Sequence, residues 1–138
     1  MTDDARMNAE LEIRNLLARL AHMADCGDPD EYAQLFAEDG SWYHPHYGEV
    51  AGRSAIADGL RARFAKGSQG PGSHMRHVLT TQWVDVVDDD HATSQAYWLT
   101  LRAEGTPAPS NMGRYDDEIR RTPDGWKLAR RNITLYTE

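Results

Sequence analysis

The sequence is poor in cysteine, and Cys26 is the only one among its 138 residues. A single cysteine cannot form a disulfide within the chain, and a reducing compartment is the default for such a composition. The first ten residues, MTDDARMNAE, are polar and acidic. They lack the basic and apolar regions of a signal peptide, and we therefore expect a cytoplasmic protein.

Long apolar runs and an excess of positive charge are also missing. No apolar stretch approaches the roughly 20 residues of a membrane span. The formal net charge is −7, which disfavours binding to nucleic acid or to an anionic membrane surface. Hydrophobic residues make up 40% of the chain and charged residues 27%, as is typical of a globular protein. The length fits one domain spanning residues 1–138.

Metal-binding motifs are absent too, although the chain has six histidines. Four of them, His44, His46, His74 and His77, lie in two short segments. Histidines can bind zinc or iron, but no HxxxH pair or metal-typical carboxylate motif accompanies these. We therefore interpret HPHY as part of a solvated aromatic loop, and we expect no metal and no cofactor.

Three helices are predicted in the first half of the chain. Leucine, isoleucine and methionine recur at three- and four-residue spacing up to Asp25, which indicates an apolar helical stripe that Gly27 would end. Pro29 is typical of a first helical position, and Ser54 is a candidate cap for a third helix. Residues 1–8 would form a loosely ordered tail. The expected helices span residues 8–25, 29–37 and 55–65.

Four long runs rich in β-branched and aromatic residues follow in the second half. They are HVLTTQWVDVV, HATSQAYWLTLRA, GRYDDEIRR and GWKLARRNITLY. Turns rich in aspartate, proline and glycine separate them, which indicates antiparallel strands. Helices followed by antiparallel strands are typical of the α+β class. We expect a cone-shaped, strongly curved antiparallel sheet, with about three N-terminal helices that cover its concave face and enclose a pocket.

The order of these segments resembles a known family. The resemblance runs from about Ala9 to Tyr136 and is carried by EIRNLLARLAHMADCGDPDEYAQLFAEDGSW, GRSAIADGLRARF, RHVLTTQWVDV and GRYDDEIRRTPDGWKLARR. Together these segments are similar to the SnoaL-like domain family of the nuclear transport factor 2-like superfamily. The resemblance implies an α+β cone around a deep pocket. The superfamily hosts dehydratases, isomerases, cyclases, dehydrohalogenases, enzyme subunits and binding proteins, so the fold does not determine one activity.

The resemblance also implies a set of catalytic residues. Scytalone dehydratase and the dehydrochlorinases use an aspartate near the end of the first helix and a histidine at the start of the first long strand. Asp25 in MADCGD and His77 in RHVLTT match these positions. Tyr43 in SWYHP matches a pocket tyrosine, and Arg130 in WKLARR matches a basic residue on the last strand. Leu20 stands near the helical lysine of the dehydrochlorinases, so their activity is not implied.

Elementary chemistry supports an acid–base role for Asp25 and His77. Histidine titrates near neutral pH, so it can remove a proton without strong tuning. A carboxylate bound to the far ring nitrogen fixes the tautomer and stabilises the imidazolium. The alternative is a structural hydrogen bond that ties a helix to a strand. His74 is expected to belong to the loop.

Arg130 follows Trp126 and Leu128 at alternate positions, which predicts that all three share one strand face. If this face lines the pocket, Arg130 can stabilise an enolate or a carboxylate, and Arg131 faces away. A surface salt bridge is the alternative. The other aromatic and histidine side chains could line a substrate pocket or belong to the core and its rim. The expected pocket residues are Trp83, Tyr97, Trp98, Tyr115 and His44.

These observations predict a cofactor-free lyase or isomerase, namely a dehydratase, cyclase or proton-transfer enzyme, for a small hydrophobic molecule with a carbonyl or hydroxyl group. His77 would be the general base or acid, Asp25 its orienting partner, and Tyr43 and Arg130 electrophilic helpers. Two alternatives stay open. One is a non-catalytic ligand-binding or dimerising domain, and the other is the small subunit of an oxygenase. A wide sheet with an exposed outer face also predicts a homodimer through the sheet.

Overall fold

The computed structural model describes residues 1–137, which contain three α-helices and six β-strands. The helices are α1 (Asp3–Cys26), α2 (Pro29–Gln34) and α3 (Arg53–Lys66). The strands are β1 (Phe36–His44), β2 (Gly48–Ala51), β3 (Met75–Val86), β4 (His91–Arg102), β5 (Ala108–Thr122) and β6 (Gly125–Leu135). No helix in this described part is long and apolar enough to cross a membrane. The α+β class predicted from the sequence is confirmed.

Helix α1 begins at Asp3, earlier than its apolar stripe predicts. Thr2 caps it, because the Thr2 side chain accepts a hydrogen bond of 3.1 Å from the backbone N–H of Ala5. Acidic residues in the first turn add a favourable interaction with the helix dipole. The expected loose tail of residues 1–8 is therefore corrected to a capped first turn. On the inward side, the helix buries Ile13, Leu17 and Leu20.

The other two helices differ from the prediction at their ends. Helix α2 stops at Gln34, because Phe36 begins a strand and buries its ring in the core. The carbonyl oxygen of Phe36 accepts two hydrogen bonds from the Arg53 guanidinium, at 3.0 and 2.8 Å. Helix α3 starts at Arg53 after Gly52, which makes no side-chain capping bond. Ser54 is therefore a helical residue and not the cap.

The six strands form one curved sheet in the order β2-β1-β6-β5-β4-β3. Strands β3 to β6 are antiparallel neighbours in sequence order, as predicted. Strand β1 instead pairs in parallel with β6, so the sheet is mixed. The chain leaves β1 through β2 and then α3, and it returns beside β1 only with its last strand. Helix α1 packs on β3 and α2 packs on α3, which places the core between the helices and the inner face of the sheet.

A bulge in β3 reverses which side chains face the core. The register shifts between Thr80 and Trp83, and Thr81 has a positive φ of 52°. Before the bulge, Leu79 faces inward, whereas after it Val84 is buried and Trp83 is 69% exposed. An extra residue in a strand shifts the alternation of every side chain beyond it.

A second bulge has the same effect in β6. The partners of Leu128 and Arg130 are consecutive in β5, so Ala129 is the extra residue. As a result, Leu128 and Arg131 are buried and Arg130 is exposed. The expectation that Trp126, Leu128 and Arg130 share one face is therefore wrong, and Arg131 is the arginine that points inward.

Candidate active site

A cavity of about 320 Å³ lies between the helices and the inner face of the sheet. This volume suits a small-molecule ligand. Exposed lining residues, among them Ser68, Arg102 and Asn111, mark its mouth. Within residues 1–137, no aspartate or glutamate lines the cavity. The apolar part of the wall is formed by Leu20, Phe36, Trp42, Leu79, Trp98 and Ile133.

Asp25 and His77 meet beside this cavity. The Asp25 carboxylate lies 2.7 Å from the His77 ring Nδ1 and accepts the backbone N–H of His77 at 3.1 Å. Asp25 is 5% exposed and lies behind the wall, whereas the His77 ring lines the cavity. An ionised carboxylate can only accept hydrogen bonds, so Nδ1 carries the proton and Nε2 is the free ring nitrogen of neutral His77.

The tight end of α1 positions Asp25. Gly27 follows the helix, and its N–H donates to the Met23 carbonyl at 2.8 Å. A Cβ at Gly27 would lie 2.7 Å from the Cα of Met23, so only glycine lets the chain approach the last turn this closely. Asp25 belongs to this last turn, and its carboxylate contacts His77 at the start of β3.

Arg131 forms another part of the wall and belongs to a buried ion pair whose carboxylate lies behind the wall. Arg131 and Asp117 are direct partners across β5 and β6, joined by two hydrogen bonds of 2.8 Å. The Arg131 guanidinium lies 3.8 Å from the centroid of the Tyr115 ring. Burial opposes the charged form of Arg131, but the Asp117 carboxylate outweighs it and raises the pKa of Arg131. Burial also raises the pKa of Tyr115 to about 12, so its hydroxyl stays neutral.

Arg63 on α3 adds a second cationic group to the wall. Its Nε donates to the side-chain oxygen of Gln69 at 2.9 Å, and the Gln69 amide donates to the Ala24 carbonyl at 3.0 Å. The guanidinium lies 5.2 Å from the centroid of the Trp42 ring. Burial lowers the pKa of Arg63 from its usual value.

Sequence reasoning missed Arg63, although a signal is present. Arg63 follows Ile56 and Leu60 at seven- and three-residue spacing, which places it on the same helical face as these two buried residues. An arginine on an apolar face indicates a partner or a cavity. Gln69 lies in a loop, where no periodic pattern could have singled it out.

Among the predicted pocket residues, His44, Trp98 and Tyr115 line the cavity. The Nδ1 atom of His44 accepts the backbone N–H of His46 at 3.0 Å. Burial is the main cause that lowers the pKa of His44, with His46 and Arg63 adding to it. Trp98 stacks on Tyr115 with ring centroids 5.6 Å apart.

The other two predicted pocket residues, Tyr97 and Trp83, lie outside the cavity, as does the predicted electrophilic helper Tyr43, and these assignments are corrected. Tyr43 and Tyr97 are each 39% exposed, because the adjacent residues in β1 and β4 face inward and neighbours in a strand point to opposite sides. Trp83 points outward because of the bulge in β3 and lines a separate groove on the outer face of the sheet.

Arg130 is also corrected, since it is exposed and does not line the cavity. Its guanidinium donates to the Glu49 carboxylate at 2.7 Å and to the Ser41 hydroxyl at 3.1 Å. This is the surface salt bridge that the sequence left open as an alternative. His74 lies in the loop before β3 with a φ of 57°. No group of three or more potential metal ligands occurs among residues 1–137.

Comparisons with known proteins give a consistent result. The profile of the SnoaL-like domain matches residues 5–132. A search of curated proteins found no significant match. A solved structure of an NTF2-like protein with a cystatin-like fold from Novosphingobium aromaticivorans is similar, with 31% identity and a TM-score of 0.80. The alignment covers 95% of this chain and 84% of that chain.

Two further structures from the same organism are similar. A protein assigned as an aromatic ring hydroxylase is 26% identical with a TM-score of 0.76, over 96% of this chain and 92% of its own. A protein assigned as a scytalone dehydratase is 20% identical with a TM-score of 0.79, over 99% of this chain and 89% of its own, and it is evidence for the fold alone. The profile match and the α+β architecture agree, and the chain belongs to the SnoaL-like domain family.

Proposed function

We propose that the protein is a lyase or isomerase that moves a proton on a small hydrophobic carbonyl compound. The observation that carries this proposal is the Asp25–His77 contact of 2.7 Å, with the ring of His77 in the cavity wall and its Nε2 unengaged among the described residues. In this arrangement Nε2 acts as the general base, and Asp25 orients the ring and stabilises the imidazolium.

The proton transfer conserves atoms and charge. Nε2 removes a proton from the carbon next to the substrate carbonyl, and the electron pair of that C–H bond forms an enolate. In a dehydration, the enolate collapses, the bond to a β-hydroxyl breaks, and the imidazolium returns its proton to that oxygen so that water leaves. In an isomerisation, the imidazolium returns the proton to a different carbon.

Tyrosines that line the cavity, and not Tyr43 or Arg130, stabilise the negative charge on the substrate oxygen. Tyr32 and Tyr115 line the cavity, and burial raises the pKa of both. Neutral phenols are hydrogen-bond donors, so either hydroxyl can stabilise the negative oxygen of an enolate. The aromatic wall around them favours a flat, apolar substrate.

The test uses 2-tetralone in D2O, because this flat ketone has acidic protons beside its carbonyl. Proton NMR then follows the replacement of these protons by deuterium. We expect the protein to accelerate the exchange above buffer, and His77→Gln to reduce this acceleration by about 100-fold or more. Asp25→Asn should reduce it less, and His74→Gln, in the loop, should leave it unchanged.

Exchange no faster than in buffer, or full activity in His77→Gln, would contradict the proposal. A domain that only binds its ligand would broaden the 2-tetralone signals without exchanging them. The oxygenase-subunit alternative is supported by the similar structure assigned as an aromatic ring hydroxylase. It predicts that the chain co-purifies with a larger metal-containing protein, whereas the lyase or isomerase acts alone.

A further inference from the structure

The charge of the cavity wall is opposite to that of the whole chain. Acidic residues outnumber lysine and arginine by 22 to 15 in the sequence. In contrast, the described cavity wall contains three arginines and two histidines, but no carboxylate. A wall of this kind favours an anionic ligand, since its potential attracts negative charge.

The three arginines differ in how their charges are matched. Arg131 is paired with Asp117, and Arg102 is exposed at the mouth, where water solvates it. Arg63 is half-buried and has no carboxylate within salt-bridge distance among residues 1–137. A partly desolvated cation without a counter-ion is unfavourable, so this position favours an anionic ligand.

The free part of Arg63 has a defined geometry. Its Nε donates a hydrogen bond to Gln69, while its two Nη groups have no hydrogen-bond partner among the described residues. The Trp42 ring lies on one side of the guanidinium, and the hydrogen bond to the buried Gln69 orients the Nε side of the group. Two parallel N–H groups in one plane match the two oxygens of a carboxylate. A phenolate has only one oxygen and cannot accept both hydrogen bonds in this way.

We propose that the cavity binds a small aromatic carboxylate, with the carboxylate on the Nη groups of Arg63 and the ring against the apolar part of the wall. This inference names the substrate class for the proposed proton transfer. It rests on the proposed function in one respect, because it assumes that the same cavity binds the substrate. His77 then faces the carbonyl or hydroxyl group of the ligand. The proposal gives Arg63 a specificity role that is separate from the acid–base chemistry.

The test compares 2-naphthoate with 2-naphthamide, a neutral molecule of nearly the same shape, by isothermal titration calorimetry. We expect the protein to prefer the carboxylate by at least about tenfold. Arg63→Gln should abolish this preference, and Arg63→Lys, which keeps the charge but loses the fork, should keep part of it. Arg61→Gln is the matched control, because Arg61 lies on the same helix but pairs with Asp30 and Asp58 at the surface.

Equal affinity for the two compounds, no binding of 2-naphthoate, or an unchanged preference in a folded Arg63→Gln variant would overturn the inference. Circular dichroism establishes that each variant is folded. If Arg63→Gln does not fold, the preference for 2-naphthoate measured in Arg63→Lys tests the inference instead. The two proposals fail separately. If the native protein prefers the carboxylate but does not accelerate deuterium exchange, the carboxylate site is supported and the catalytic role is rejected.

Discussion

Asp25 holds His77 at two points with one carboxylate, which accepts the backbone N–H at 3.1 Å and contacts the ring Nδ1 at 2.7 Å. The first contact joins the end of α1 to the start of β3. The second sets the orientation of the ring. Structural and chemical roles therefore coincide in this pair and can be separated only by variants that remove one contact at a time.

The first prediction separates these roles. Asp25→Asn keeps an oxygen that can accept the backbone N–H of His77, so we expect little loss of stability but a clear loss of deuterium exchange. Asp25→Ala leaves that N–H and the ring without a partner, and we expect it to cost about 1–3 kcal/mol of unfolding free energy. Urea denaturation of both variants measures the difference. Equal stability of the two variants would contradict the structural role.

The second prediction concerns the buried pair of Arg131 and Asp117, which are 7% and 4% exposed. Asp117→Ala leaves the arginine buried without a counter-ion, and we expect a loss of about 3–5 kcal/mol in unfolding free energy. The control is Glu49→Gln, which removes the negative charge from the exposed ion pair with Arg130 and should change stability little. Thermal or urea denaturation is the measurement, and similar losses in both variants would refute the argument.

The third prediction is a pH dependence that originates at His44. Its folded-state pKa lies below the ordinary value of 6.5, so the unfolded chain binds more protons between these two values. Stability must therefore fall as pH decreases through this window. We expect the melting temperature to drop more from about pH 7.5 to about pH 5.5 in the native protein than in His44→Gln. Identical drops would exclude His44 as the source.

The fourth prediction tests the bulge in β3. Thr81 has a φ of 52°, a conformation that is costly for a β-branched residue. Thr81→Gly relieves this strain and should raise the unfolding free energy by about 0.5–1 kcal/mol, even after the entropy cost of glycine. The neighbouring Thr80→Gly is the control and should lower stability, because Thr80 lies in the regular part of the strand. A loss of stability in both variants would argue against a strained bulge.

The fifth prediction concerns assembly. We propose that the outer face of the sheet pairs two copies of the chain, because it exposes Trp83 and Tyr97 beside a groove that contains both acids and Arg130. Such a mixture of signs is self-complementary across a two-fold axis. Sedimentation equilibrium should give a dimer, and Trp83→Asp should shift it to a monomer. A monomeric native protein would reject this interface.

The fold was largely accessible from the sequence because long periodic segments determine element type. The strand runs and the apolar stripe of α1 predicted the α+β class, and the structure joins Asp25 to His77. The parallel pairing of β1 was not predictable, since Phe36 reads equally as the end of a helix. Side-chain packing across the whole core determines which strands pair, and the local preference of a segment does not.

The errors in the site arise from the way side chains alternate along strands and helices. Trp83 and Arg130 each lie beyond a bulge, and a bulge leaves no pattern in a single sequence that would mark the shifted alternation. Tyr43 and Tyr97 were assigned beside inward-facing neighbours, which the alternation of a strand forbids. Arg63 lies on the same helix face as buried apolar residues, where a charged residue is more informative than an apolar one.

The last turn of α1 supports two groups at once. The Ala24 carbonyl holds Arg63 through Gln69, and the next residue, Asp25, holds His77. Arg63 and His77 are therefore both linked by hydrogen bonds to the same turn of the helix, which limits how far one shifts relative to the other. We therefore expect the protein to select ligands by the distance between their reactive carbon and their carboxylate. Homologues in which an added methylene lengthens this distance should bind less well.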